Sequence, residues 1–500
     1  MRRRDLLAAA LAGACAPALA RAQGNDDARL RATLDSFAKL DSPSEKLKRL
    51  AEFNPASLSP SARIDLETAR IGLDVDRRLA ARFPIGRFGR SPYTLAPNAG
   101  AWRDAAHPKD EAALIARIDA ETEAVRAEAE RGVILPRPLL DRTASGIARA
   151  RADAAGRVAQ ALAHQGDLLT SLAPRAPAEP GVSRFPGGEA YFALLLERNF
   201  GAVPPVEAHR RFVDKARELT ARADGVLRRL GLTRGSVGGR MSAAFRDPRF
   251  LYPDDDSGRD RAVADMNAWL DKARARVPAL IGLVPPMCLD VSVRRMSAKE
   301  EAEGRQGYRT VAAPGMSGVY WVDLKRIRDR PSWTLGAVVH HELLPGHMIQ
   351  LPIEDAAKLH PLRLEYTGPF AEGWAIYAEE LMARDGAFAG NDRALLGHLH
   401  WMLFRIGRGL VDTGVHLGHY SLAQTSRKLA ELQGEPAYFA PFAQDIERIT
   451  IEPAIRAAEA LTWLGLAERG LKAARGGVGS LRTFHQQVLA NGRKRLERIA

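Results

Sequence analysis

Cysteine is nearly absent, with only Cys15 and Cys288 in 500 residues. A disulfide-stapled scaffold and a zinc site built mainly from cysteines are therefore excluded. Aromatic residues make up only 6% of the chain. There is no Gly-rich phosphate loop, no zinc-finger spacing, and no basic cluster interleaved with aromatics. The net charge of +13 thus reads as solvated basic faces, and a nucleic-acid partner is not expected. No fixed-period repeat is present, and no apolar run is long enough to cross a membrane comfortably.

What is present begins with an export signal. Arg2-Arg3-Arg4 precede the apolar run Leu6 to Ala14, and A-x-A exits follow at Ala18–Ala20 and Ala20–Ala22. Paired arginines before a weakly hydrophobic, alanine-rich run favour a twin-arginine signal over a Sec signal, and a periplasmic or secreted destination. Lipidation of Cys15 is disfavoured because Ala12-Gly-Ala-Cys15 lacks leucine three residues before the cysteine. Cleavage after Ala22 leaves a mature chain of net charge +10 without a transmembrane segment.

Ala, Leu, Arg and Glu are plentiful, which favours helices. From Asp26 to about Arg276 the pattern is one of successive amphipathic helices, such as Pro108–Arg131, Pro138–His164 and Pro205–Leu230. Between Pro285 and Asp323 the texture changes. Leu289–Val293, Tyr308–Ala312 and Gly318–Val322 alternate or are β-branched, with Gly and Pro between them, and predict a small sheet. The expectation is a mainly α, two-lobed fold with a small β-sheet beside the active-site helix. A signal peptide spans 1–22, an N-terminal helical lobe 23–284, and a catalytic lobe 285–500 continuous with it.

Three of the twelve histidines, His340, His341 and His347, fall within eight residues. The familiar zinc-binding helix places two histidines at i and i+4, about 40° apart around the axis, with Glu beside the first. In His341-Glu342-Leu-Leu-Pro-Gly-His347 the spacing is i and i+6, about 240° apart on a regular helix, which could not share a metal. Pro345 alters this, because proline removes an amide donor and clashes with the carbonyl four residues back. The helix must bulge or end near Pro345-Gly346, and His347 can return to the metal side; a structural kink with satisfied histidines is the competing reading. A third ligand is expected from a carboxylate on another helix. Glu372, 25 residues beyond His347, begins Glu372-Gly-Trp-Ala-Ile-Tyr-Ala-Glu379, and Glu379 lies on nearly the same face, placed to orient a metal-bound histidine. A further helix, Asn391 to about Gly418, carries Arg405, Arg408, Asp412 and His416 at three- and four-residue steps. That stripe reads as the lining of a cleft, against a plain surface stripe.

These three ordered motifs, with a late Phe484-His-Gln-Gln-Val-Leu-Ala-Asn-Gly492, closely resemble the domain-of-unknown-function family 885 over nearly the whole mature chain. The resemblance implies a zincin-like helical fold distantly similar to angiotensin-converting-enzyme and oligopeptidase-type metallopeptidases. It also implies Zn2+ on His341, His347 and Glu372, with Glu342 as general base. The family's late Pro-Gly-Gln-Ala with a following Tyr is altered. Arg448 and Pro453 fit, but Ala454-Ile455-Arg456 follow, and the tyrosine position falls on Glu459 or, with a shift, Trp463. A lost oxyanion donor of this kind costs about 2.7–4 kcal/mol of transition-state stabilisation.

The expected function is zinc-dependent hydrolysis of a peptide substrate, carboxypeptidase- or oligopeptidase-like. Glu342 is the expected base; His416, supported by Arg408 and Asp412, is expected to bind substrate or the oxyanion. A catalytically degenerate metal- or peptide-binding protein, and a metal-dependent esterase or amidase, share every ligand. The sequence leaves the oligomeric state open.

Overall fold

The computed structural model describes residues 24–499, so the expected signal peptide lies outside the described residues. The fold is mainly α, with one small three-stranded sheet. No helix among the described residues is long and apolar enough to cross a membrane.

The helices that frame the site are α1 (Pro205–Arg229), α2 (Leu335–Glu342), α3 (His347–Ala357), α4 (Phe370–Arg384), α5 (Asp392–His416), α6 (Phe442–Ile451) and α7 (Ile455–Ala474). α5 starts on an Asn391 side-chain cap that accepts the Ala394 amide. From Leu396 to His416 every one of its side chains is buried, because α1, α2, α4, α6 and α7 all pack on it. Such a helix has no solvent face on which a polar stripe could be harmless. A single apolar core includes Leu195 and Phe212 as well as Trp374 and Trp463, so it crosses residue 284 without interruption. A smaller core joins Leu30, Leu50 and Leu66 to Tyr366.

The sheet has strand order β1-β3-β2, with β1 at Val291–Arg295, β2 at Tyr308–Thr310 and β3 at Gly318–Val322. β1 runs parallel to β3, and β2 antiparallel to it with Arg309 opposite Tyr320. Directly paired residues share a face. Arg309 and Tyr320 therefore lie on one side of the ribbon, and Tyr308 and Trp321 stack on the other, 6.1 Å between centroids. The first strand begins two residues later than the pattern predicts, because Pro286–Cys288 forms a 3-10 turn.

One expected helix is two. Pro138–His164 divides into Arg137–Ala152 and Gly156–Leu172, which pack against each other. Gly156 takes φ +56°, a left-handed conformation that turns the chain back on itself. The apolar period continues through the break, which is why periodicity alone did not reveal it.

Candidate metal centre

α2 ends at Glu342 and α3 begins at His347. Between them Leu343 leaves helical geometry, and Leu344–Pro345 is a cis peptide. A Cβ on Gly346 would lie 2.0 Å from the His341 carbonyl oxygen and 2.6 Å from that of His340, so only glycine fits this approach. The Trp374 indole N–H of α4 fastens the turn, donating to the carbonyls of Pro345 (3.1 Å) and Gly346 (3.3 Å). The break brings His341 and His347 together, with ring centroids 5.0 Å apart and planes nearly perpendicular.

Glu372, in the first turn of α4, completes the group. Its two carboxylate oxygens lie 3.4 Å from Nε2 of His341 and 3.4 Å from Nε2 of His347. All three ligand atoms fall within 4.8 Å of one another. In a tetrahedral site with bonds of about 2.0–2.1 Å, ligand atoms stand about 3.3 Å apart, so this spacing suits a small divalent ion. His347 is 1% exposed, and neither of its ring nitrogens has a hydrogen-bond partner among the described residues. A buried histidine that only fills the core normally satisfies at least one nitrogen.

The His341 Nδ1–H donates to Glu379 Oε1 at 2.7 Å, which fixes the tautomer and turns the Nε2 lone pair toward Glu372. Arg405 of α5 reaches the same place. It donates to His341 Nε2 (3.3 Å), and its Nε lies 3.6 Å from Glu379. Arg309 on β2 forms an ion pair with Glu342. Burial pushes the Glu342 carboxyl up, but Arg309, with His341 and His347, outweighs it and holds the group below its ordinary value. Burial likewise opposes ionisation of Glu372, and its contacts with the two histidines hold it well below the usual range. Tyr320, opposite Arg309, is 3% exposed. Burial, then Tyr438 and the Glu342 charge, push its phenol well above the usual value.

The stripe on α5 requires correction. His416 does not face the site: the Val182 amide donates to its Nδ1 (3.2 Å), its Nε2–H donates to the Ile449 carbonyl (2.9 Å), and its ring stacks on Phe192. Both nitrogens are committed to backbone, so it joins loop, helix and core and cannot bind an oxyanion. Asp412 accepts the amides of Ala454 (3.1 Å) and Ala457 (2.9 Å), capping α7. Arg408 pairs with Asp445 of α6 (3.3 Å) under the Phe404 ring. Asp412 Oδ1 does lie 3.6 Å from His416 Nε2, but that nitrogen is committed to the Ile449 carbonyl, so neither residue positions His416 for chemistry. Only Arg405 in the stripe touches the metal centre.

The altered late motif is also visible. Ala454 adopts φ +71°, the left-handed conformation that favours glycine. Glu459 pairs with Arg456 at 2.5 Å, and Trp463 donates its indole N–H to Glu380. The phenol beside Glu342 is Tyr320, from the sheet.

Buried histidines away from the site set the acid response. Burial pushes His398 down to about 3, and His400, His416 and His485 down to about 4. Each is neutral when folded and takes up a proton near pH 6.5 when unfolded. The stability they contribute is intact above about 6.5 and lost as pH falls toward about 4. Asp412, pushed up to about 7 by burial, acts in the opposite sense, favouring the fold as pH falls through 7. The buried histidines, His340 among them, outnumber Asp412 in this window and predict that the melting temperature of chelator-treated protein falls from pH 7 to pH 4.5. A flat or rising trend by circular dichroism contradicts this.

A family model described as "Bacterial protein of unknown function (DUF885)" matches residues 17–497, and the chain belongs to that family. No curated protein matches it. Two solved structures share the fold. A "putative lipoprotein" from Colwellia psychrerythraea has a TM-score of 0.71 at 21% identity, covering 91% of this chain and 88% of that one. A "putative lipoprotein of unknown function" from Shewanella oneidensis has a TM-score of 0.68 at 15% identity, covering 97% and 96%.

Proposed function

We propose that this DUF885 member is a zinc-dependent hydrolase of zincin type acting on peptides outside the cytoplasm. The observation that carries the reading is the convergence of His341, His347 and Glu372 with a fourth group, Glu342, that is ionised and is not part of the ligand set. A protein that merely holds a metal needs no carboxylate there. Two histidines and one carboxylate also match the three-ligand sets of catalytic zinc sites, which keep one position open.

Bound zinc would supply Lewis acidity, polarising the scissile carbonyl and acidifying a water molecule. The protein does the rest. Glu342 takes the proton of the attacking water and passes it to the leaving nitrogen. Glu379 holds the His341 ring in one tautomer and orientation. Arg309 keeps Glu342 in the base form between turnovers and, on the edge strand β2, stands where an extended peptide would add to the sheet.

The test is digestion of a mixed peptide library by the purified mature protein, with and without a chelator. Cleavage that stops on chelation and returns with zinc supports the reading; cleavage untouched by chelation contradicts it. Ester hydrolysis without peptide cleavage would move the assignment to the esterase sharing these ligands. Export with cleavage after Ala22 predicts a native chain starting at Gln23. The printed names of the two similar structures make a lipid anchor on Cys15 the alternative, and an acylated Cys15 in the intact mass would establish it.

A further inference from the structure

Arg330 lies between the 3-10 turns Ile327–Asp329 and Ser332–Thr334 that lead into α2. It is 3% exposed, and neither Nη1 nor Nη2 has a hydrogen-bond partner among the described residues. Three nearby carboxylates are paired elsewhere, Asp329 with Arg326, Glu300 with Arg305 and Glu301 with Arg295, and Asp323 accepts the Lys325 amide at 2.9 Å. The Tyr438 ring faces it, the centroid 3.3 Å from the guanidinium carbon. A ring face attracts a cation but accepts few of its N–H bonds, and it returns less than burial of an unpaired charge removes. A guanidinium cannot escape by losing its proton.

Arg330 forms part of the wall of a cavity of about 280 Å³, outside the metal centre. Arg305, Lys325 and Arg326 line the same cavity with the amides of Gln306 and Gln444, against two carboxylates, Glu301 and Asp323. An adjoining cavity of about 240 Å³ shares Arg326 and Tyr438 and adds Arg246 and Arg328 beside Asp329 and Glu435. Cations therefore outnumber carboxylates around a buried fork whose two Nη groups have no partner among the described residues. We propose that this cavity binds a small oxyanion, a carboxylate or a phosphate, whose oxygens take the two Nη groups of Arg330. The planar fork matches paired oxygens, and the surrounding cations and amides satisfy the rest. Occupancy would also fix Tyr438, whose ring lies against the Arg330 guanidinium.

The test is thermal melting of the full mature chain and of Arg330→Met, in phosphate or acetate titrated at constant ionic strength. For the wild type a rise of about 2 °C is expected once the anion exceeds its dissociation constant about 100-fold, growing with the logarithm of anion concentration. Arg330→Met should lack that rise, and should melt no lower than wild type in anion-free buffer because it removes an unpaired buried charge. Arg330→Lys keeps the charge but not the fork, and should need about tenfold more anion. A rise with phosphate alone assigns the site to phosphate, and a rise with acetate alone to a carboxylate. The proposal is overturned if the wild-type melting temperature does not rise with the logarithm of anion concentration. It is equally overturned if wild type and Arg330→Met respond alike, or if Arg330→Met melts several degrees lower without anion, which would make Arg330 a structural cation on Tyr438.

Discussion

Glu342→Gln is expected to retain the metal and to lose about 10²–10⁴-fold in peptide turnover, the range a positioned general base contributes. The substitution is close to isosteric and touches none of the proposed ligands His341, His347 and Glu372. It does remove the group that accepts a proton, and the amide offers no substitute. The change should fall on kcat with KM little altered, because a base acts in the transition state more than in binding. Arg309 loses its carboxylate partner, but its side chain is 27% exposed, so solvent can take over part of that contact and folding should survive. Undiminished hydrolysis by a zinc-loaded Glu342→Gln protein would eliminate Glu342 as the base.

Gly346→Ala is expected to cost zinc affinity by about 100-fold or more, although residue 346 binds nothing. Its Cβ would meet two backbone oxygens at 2.0 and 2.6 Å, and neither can swing away as a flexible side chain could. The turn must open, and opening it carries His347 off the metal face. Loss of an outer hydrogen bond to a ligand typically costs 10–100-fold in metal affinity, and displacing the ligand itself should cost at least as much. Gly479→Ala is the matched control, since nothing lies within 4 Å of a Cβ there. Equal zinc affinity in Gly346→Ala and wild type would show that the turn does not position His347.

The sequence reveals the His341, His347 and Glu372 cluster because its parts are local. Pro345-Gly346 explains in physical terms why six-residue spacing can still bring two histidines to one ion. Glu372 and Glu379 sit seven residues apart on one helix, so a single element supplies both ligand and ligand support. The α5 stripe misleads for the opposite reason. Helical period shows that Arg405, Arg408, Asp412 and His416 share a face, but not what that face meets. On a helix buried all round, the four meet different partners: the metal centre, Asp445, the start of α7, and two backbone groups. Arg309 escapes notice because its value depends on register. Pairing opposite Tyr320 turns it toward Glu342, and a slip of one residue would turn it away. Arg330 carries no signal beyond the Asp329-Arg-Pro331 turn, since only the folded chain shows that its neighbours are already paired.

The central claim is that His341, His347 and Glu372 form one metal site. Elemental analysis of purified protein dialysed against zinc, beside His347→Ala and Glu372→Ala, tests it most directly. One equivalent of zinc in the wild type, and close to none in either variant at the same free zinc, is the predicted result. A wild type that binds no zinc, or variants that keep the full equivalent, would contradict the account.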